Sequence, residues 1–214
     1  MRANAVPGMV LAVFAIGLVA AYFNVPPLHA ALTRLGEWKV AGGYAFSIVS
    51  TGLFGGTLPW LIGRLRSAPA QGHAPLSHML FLTAFWGYKG IEIDTTYRVQ
   101  SMLWGDSTSP GMVALKVFLD LGVWCAIWAV PTTVLGYAFK DSGFSFAGLR
   151  RWMSPGWFRQ KIIPLIVSNF FIWAPAVAAI YCLPQPLQLP LQNLVLCFWS
   201  LILMIQVVGA EETS

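Results

Sequence analysis

The feature that most constrains this chain is a series of apolar stretches, each close to the length that crosses a lipid bilayer as a helix. A helix needs about 20 mostly apolar residues to span the hydrocarbon core. Six stretches qualify, at about residues 9–23, 40–62, 76–103, 112–139, 161–183 and 189–208. The sequence therefore predicts an all-α fold, a polytopic bundle of about six transmembrane helices.

The amino-acid composition excludes an ordinary soluble protein. Hydrophobic residues make up 57% of the chain and charged residues only 10%, whereas about a quarter of a typical soluble domain is charged. We therefore expect the lipid bilayer to be the main partner. The net charge of +5 does not indicate a nucleic-acid partner, because no basic cluster alternates with exposed aromatic residues.

The first apolar stretch has two readings. It resembles a signal peptide in having Arg2, a short apolar run and then small residues at Ala20 and Ala21. A retained first helix is the preferred reading, because no soluble domain follows that would need export.

The distribution of Lys and Arg predicts the orientation. With the N-terminus inside, the inner segments hold eight basic residues, and the outer side holds Arg34, Lys39 and Arg98. This bias predicts that both termini are cytoplasmic. The first stretch is not an Arg- and Ser-rich presequence, so a bacterial cytoplasmic membrane is expected, with an organelle membrane as the second choice.

The inner segment 140–160 contains "LRRWMSPGWFRQ". Arginines beside aromatic residues are typical of a short helix at the headgroup boundary. Such a helix either senses lipid or simply anchors the protein, and the sequence leaves both readings open.

Small residues recur every fourth position in the second stretch, at Gly43, Ser47, Thr51 and Gly55. A stripe of this kind lets another helix approach closely in lipid. It predicts packing within the chain or, alternatively, the seam of a homo-oligomer or the wall of a pore.

Charge is concentrated in the third stretch, in the segment "FWGYKGIEIDTTYR". On a helix, Lys89 and Glu92 lie about 60° apart, and Asp94 and Arg98 about 40° apart, so each acid can pair with a base of its own helix. Lys116 and Asp120 repeat this spacing in the fourth stretch.

Charged groups at membrane depth are costly and normally face the bundle interior or water. The six residues are therefore candidates for a polar core or a pore lining: Lys89, Glu92, Asp94, Arg98, Lys116 and Asp120. They either brace the bundle or line a hydrated path, and Asp94 with Arg98 can alternatively mark the outer membrane edge.

No enzyme, cofactor or metal site is expected. His29, His73 and His78 fall in or beside predicted loops, and Cys125, Cys182 and Cys197 are scattered through apolar runs without metal-ligand spacing. Nucleophile, zinc and phosphate-loop motifs are lacking.

The second half of the chain carries a set of spaced residues. "WFRQKIIPLIVSNFFIWAPAVAAIYCLPQPLQLPLQNLVLCFWSLIL" has Asn169 before Ile172-Trp173, then Leu183-Pro184, and Asn193 six residues before Trp199. "KVFLDLG" supplies Lys116 and Asp120, and "TYRV" covers residues 96–99. This order resembles the Mpv-seventeen and peroxisomal-membrane-protein-twenty-two family over residues 40–208, with departures at Ala174, Leu121 and Ser101.

The resemblance implies a small helical protein of organelle or bacterial inner membranes, channel-like or affecting the passage of small metabolites. Asn169, Trp173, Asn193 and Trp199 would be its signature residues. It divides the chain into an extra N-terminal transmembrane helix and loop (1–39), a family-like bundle (40–208) and a short acidic tail (209–214). The expected function is a weakly selective pathway for small solutes or ions, and the alternative is a non-conducting scaffold that organises partners or lipid.

Overall fold

A computed structural model describes residues 5–66 and 75–211 of the chain, and the side chains of residues 6–65 and 75–200. Every regular element in this part is helical, which confirms the all-α prediction. The acidic side chains of the C-terminal tail, Arg2 and His73 lie outside the described residues.

Within residues 5–66 and 75–211, seven helices follow one another, and three of them contain π-helical sections. They are α1 (Ala5–Asn24), α2 (Pro26–Gly52, π-helical Leu53–Thr57, and Leu58–Arg66), α3 (Leu76–Trp104), α4 (Pro110–Val117, π-helical Phe118–Ala129, and Val130–Asp141), α5 (Phe146–Trp152), α6 (π-helical Phe158–Ile162 and Ile163–Tyr181) and α7 (Gln185–Glu211). The short helix expected between residues 140 and 160 is present as α5, and the six longer helices match the six apolar stretches.

Four of these helices are long and apolar enough to cross a membrane, namely α1, α2, α4 and α6. Helix α3 is 29 residues long and carries the charged segment, but it is not among the four. Of the six membrane crossings expected from the sequence, length and composition therefore support four.

The predicted loop after the first helix is wrong. Only Val25 separates α1 from α2, and Pro26 occupies the first turn of α2, where a proline costs no helical hydrogen bond. Residues 26–39 are thus helical, and Lys39 lies in α2 rather than in an outer loop. Helix α1 packs mainly against α6, and also against α2 and α7.

Gly43 interrupts α2. Its φ of 52° and ψ of −132° are not helical, and a positive φ of this kind is readily adopted only by glycine. The first member of the predicted small-residue stripe therefore breaks the helix instead of packing against a neighbour.

The other three members of the stripe pack against α3. Ser47 and Thr51 are fully buried, and a Cβ built on Gly90 of α3 would collide with the Ser47 carbonyl oxygen and lie 2.7 Å from Thr51 Oγ1. Gly55 lies against the Trp86 ring. The structure thus shows packing within the chain for this face of α2, and α2 and α3 form the most extensive helix pair.

The remaining helix ends follow ordinary rules. Gly105 ends α3 and donates its N–H to the Ser101 carbonyl, with a positive φ of 65° that glycine adopts readily. Ser145 caps α5 by accepting a hydrogen bond from the Gly148 N–H. In α4 the π-helical section ends just before Pro131, where the sequence predicts a kink.

The apolar core lies between α1, α6 and α7, where Leu11, Ile180 and Leu189 are fully buried. Large apolar side chains also cover much of the outer surface, and Val13 and Ile127 are at least 70% exposed. An outer surface this apolar is typical of a protein that faces lipid.

Candidate functional site

A cavity of about 500 Å³ lies between α3, α4, α6 and α7. Most of its lining is apolar or aromatic, with six large rings: Trp86, Tyr97, Trp124, Tyr137, Trp173 and Trp199. Its charged lining residues are Lys89, Glu92 and Asp120. The cavity lining therefore includes three of the six predicted charged residues.

Lys89 and Glu92 form the predicted pair within α3. Lys89 Nζ lies 2.7 Å from Glu92 Oε2 and also donates to Thr132 Oγ1 of α4 at 2.5 Å. Trp128 Nε1 donates to Glu92 Oε1 at 2.8 Å. Both charges are buried, and the pair links α3 to α4 beside the cavity.

The predicted pair of Lys116 with Asp120 is wrong. Lys116 Nζ donates instead to the Gly105 carbonyl at 2.6 Å, a group left free at the end of α3. Side chains four residues apart face each other only in an α-helix. Helix α4 becomes π-helical at Phe118, between Lys116 and Asp120. Lys116 is buried yet does not line the cavity.

Asp120 is instead held by neutral donors. Tyr181 Oη of α6 donates to Asp120 Oδ2 at 2.9 Å, and the Cys125 thiol lies 3.5 Å from Oδ1. Gln100 Nε2 of α3 donates to Tyr181 Oη at 2.5 Å. Three helices thus position this carboxylate through a chain of hydrogen bonds.

Asp94 and Arg98 form the second predicted pair, at 3.0 Å between Arg98 Nε and Asp94 Oδ2. The Asp94 side chain is completely buried, whereas that of Arg98 is 38% exposed. Asp94 also accepts from Ser47 Oγ at 2.8 Å and pairs with Lys39 Nζ at 2.6 Å. This cluster lies between α2 and α3 and does not line the cavity, so of the readings left open it matches a structural link.

The residues named by the family resemblance fall into two places. Asn169, Trp173 and Trp199 line the cavity, and the rings of Trp173 and Trp199 lie edge to face with 6.1 Å between their centroids. Asn193 does not line it. Its side chain accepts from Thr51 Oγ1 and donates to Ser50 Oγ, each at 3.0 Å, and so ties α7 to α2.

The sequence alone did not identify several contributors to these clusters, among them Lys39, Gln100, Tyr181 and Trp128. Lys39 could have been found as a lysine on the same helix as the small-residue stripe, because Lys39, Gly43 and Ser47 share four-residue spacing. The other three carry no signal of their own, since isolated polar or aromatic residues in apolar helices are common.

The histidines do not form a metal site within the described residues. His29 stacks on Tyr22 at 4.5 Å and lies 3.2 Å from its carbonyl oxygen. His78 packs edge to face against Phe144. Both therefore have ordinary packing roles.

No known family model, curated protein or solved structure matches the chain.

Proposed function

We propose that the chain is an integral membrane protein that provides a weakly selective pathway for small solutes, with the cavity between α3, α4, α6 and α7 as the place where solute is held. The observation that carries this proposal is the position of Lys89, Glu92 and Asp120 on the cavity wall. Ionisable groups inside apolar helices are costly, and they mark substrate or ion paths when they face a cavity.

The membrane setting is supported by the outer surface and by helix length. At 1.5 Å per residue, the 29 residues of α3 reach about 43 Å, more than a hydrocarbon core of about 30 Å. Its charged groups are paired or hydrogen-bonded inside the bundle, so α3 is suited to a central position. We propose six crossings on this basis, with α3 and α7 joining the four more apolar helices.

The proposed orientation places both termini in the cytoplasm of a bacterial inner membrane, with an organelle membrane as the second choice. Helix α5 supports it, because Arg150 and Arg151 lie in its last turn near the exposed Phe146. Aromatic groups are typical of either membrane interface, and an excess of Arg and Lys is typical of the cytoplasmic one.

We also propose a distant relationship to the Mpv-seventeen and peroxisomal-membrane-protein-twenty-two family. It is supported by the meeting of Asn169, Trp173 and Trp199 at one cavity, since these positions come from two different helices.

A non-conducting scaffold is the second candidate. The observation that favours it is that Asp94 and Asn193 take part in hydrogen-bond networks away from the cavity. Polar groups used in this way join helices and need no solute. The scaffold does not explain why Asp120 borders the cavity.

Planar-bilayer conductance of the purified protein tests the pathway. Wild type is compared with Glu92→Gln and Asp120→Asn, and with Asp106→Asn as a matched control in an exposed position. We expect wild type and the control to conduct alike, and the two cavity variants to change ion selectivity or gating.

Absence of conductance in wild type at every voltage, together with absence of solute efflux from proteoliposomes, would overturn the pathway. Conductance that neither cavity variant alters would refute the role of these residues but not the pathway. Recovery of a crosslinked partner or self-contact from native membranes, without any conductance, would favour the scaffold.

A further inference from the structure

The charges that line the cavity do not balance. Lys89 and Glu92 neutralise each other at 2.7 Å, which leaves the carboxylate of Asp120. Among the residues whose side chains the structure describes, no Lys or Arg nitrogen lies within ion-pair distance of Asp120; its partners are Tyr181 Oη and the Cys125 thiol. The cavity therefore carries one uncompensated negative charge.

The contrast with Asp94 shows that this arrangement is specific to the cavity. Asp94 is also buried, and it has two cationic partners, Lys39 and Arg98. Asp120 has a lysine four residues away, yet Lys116 directs its ammonium group to the Gly105 carbonyl and stays outside the cavity lining. The basic residue closest to Asp120 in sequence is thus bound to a backbone carbonyl and does not neutralise the Asp120 carboxylate.

Six aromatic rings share the cavity lining with this charge. Tyr97 on α3 and Trp124 on α4 line the same cavity as Asp120, and so do Trp173 on α6 and Trp199 on α7. The faces of such rings attract cations, with indole the most effective. A carboxylate combined with indole and phenol rings is suited to a positively charged group with an apolar body.

Two other ligand classes fit less well. An anion would need Lys89, but its ammonium group is already bonded to Glu92 and Thr132. A hard metal cation usually takes several carboxylate ligands, and within the described residues no group of three His, Cys, Asp or Glu side chains could hold a metal ion. The volume of about 500 Å³ lies within the range of small-molecule sites, about 300–1,000 Å³.

We propose that this cavity binds a monovalent organic cation, with the positive group against the Asp120 carboxylate and the apolar body against the tryptophan rings. The assignment rests on the proposed function, because it takes the same cavity to be the solute site and names the chemical class of the solute.

Binding is measured by calorimetry on the full chain in nanodiscs at mildly alkaline pH, with empty nanodiscs as background. The probes are benzyltrimethylammonium and phenylmethanesulfonate, which are similar in size and opposite in charge. We expect the cation to bind at least about tenfold more tightly than the anion, a difference of about 1.4 kcal/mol.

Asp120→Asn keeps the shape and hydrogen-bond acceptor of the side chain but removes its charge, so we expect the preference for the cation to disappear. Trp124→Leu retains Asp120 and tests the aromatic part of the site separately. We expect it to weaken cation binding about threefold or more. Asp106→Asn is the control, and we expect it to bind both probes as wild type does. Each variant is first checked for an unchanged elution volume and melting temperature.

Equal or tighter binding of the anion to wild type would overturn the proposal, and so would an unchanged cation affinity in both cavity variants. Cation binding that depends on Asp120 in a protein that never conducts would support the site and refute the pathway. Conductance without any preference for the cationic probe would support the pathway and refute the site.

Discussion

Lys39 Nζ lies 2.6 Å from Asp94 Oδ1, and the two side chains are 1% and 0% exposed. The pair joins the part of α2 before the Gly43 break to the middle of α3. Ser47, on the other side of the break, donates to the same carboxylate. Asp94 therefore fixes both halves of an interrupted helix at one point.

Removing the Lys39 charge should destabilise the bundle strongly. In Lys39→Met the completely buried Asp94 keeps only the partly exposed Arg98 as a cationic partner. Breaking a buried pair from one side typically costs about 3–5 kcal/mol. The measurement is the free energy of unfolding in mixed micelles.

The exposed Arg34 of the same helix supplies the control, and Arg34→Met should change stability little. The double variant Lys39→Met with Asp94→Asn should regain part of the loss. Equal stability of Lys39→Met and wild type would contradict a role for this pair.

Gly90→Ala should disrupt the contact of α2 with α3. A Cβ at this position would overlap the Ser47 carbonyl oxygen, a backbone atom that cannot rotate away. Overpacking typically costs about 1–3 kcal/mol, and the melting temperature should fall accordingly. Gly17→Ala in α1 is the matched control, since a Cβ there meets nothing within 4 Å; similar losses in both variants would argue against a specific close approach.

Trp128 and Glu92 should be energetically coupled. Trp128→Phe removes the indole donor that lies 2.8 Å from Glu92 Oε1 while keeping an aromatic ring. A double-mutant cycle with Glu92→Met, which removes the acceptor, should give a coupling energy of about 0.5–3 kcal/mol in unfolding experiments. Strict additivity of the two changes would show that the hydrogen bond contributes nothing.

Asn193→Leu should weaken the contact of α7 with α2 without affecting the cavity. Two hydrogen bonds are lost, to Thr51 and Ser50, and interhelical hydrogen bonds in membrane proteins average about 0.6 kcal/mol each. We expect a loss of about 1 kcal/mol in unfolding free energy, with conductance and cation binding unchanged. A change in cation affinity at constant stability would contradict the separation of this network from the cavity.

The sequence predicted features that depend on neighbouring residues. The helices followed from runs of apolar residues, and the pairing of Lys89 with Glu92 and of Asp94 with Arg98 followed from the geometry of one helix. Both pairs and the position of the short α5 helix are confirmed.

The sequence did not predict what depends on three-dimensional contacts or on an altered helical repeat. The sequence places Lys39 in an outer loop, because it precedes the second apolar stretch, whereas in the structure Lys39 is buried against Asp94 of α3. The four-residue spacing of Lys116 and Asp120 predicts an ion pair only in an α-helix, and the section that begins at Phe118 is π-helical. Tyr181 reaches Asp120 from another helix, far away in sequence.

The ion pair of Lys39 and Asp94 also bears on the order in which the chain is made. In a protein that enters the bilayer during translation, α2 leaves the ribosome before Asp94 has been synthesised. At rates of about 5–20 residues per second, this interval lasts on the order of several seconds. During it Asp94 is not yet available to the Lys39 ammonium group, which favours the water boundary, so we expect the first part of α2 to reach its final depth only when α3 arrives.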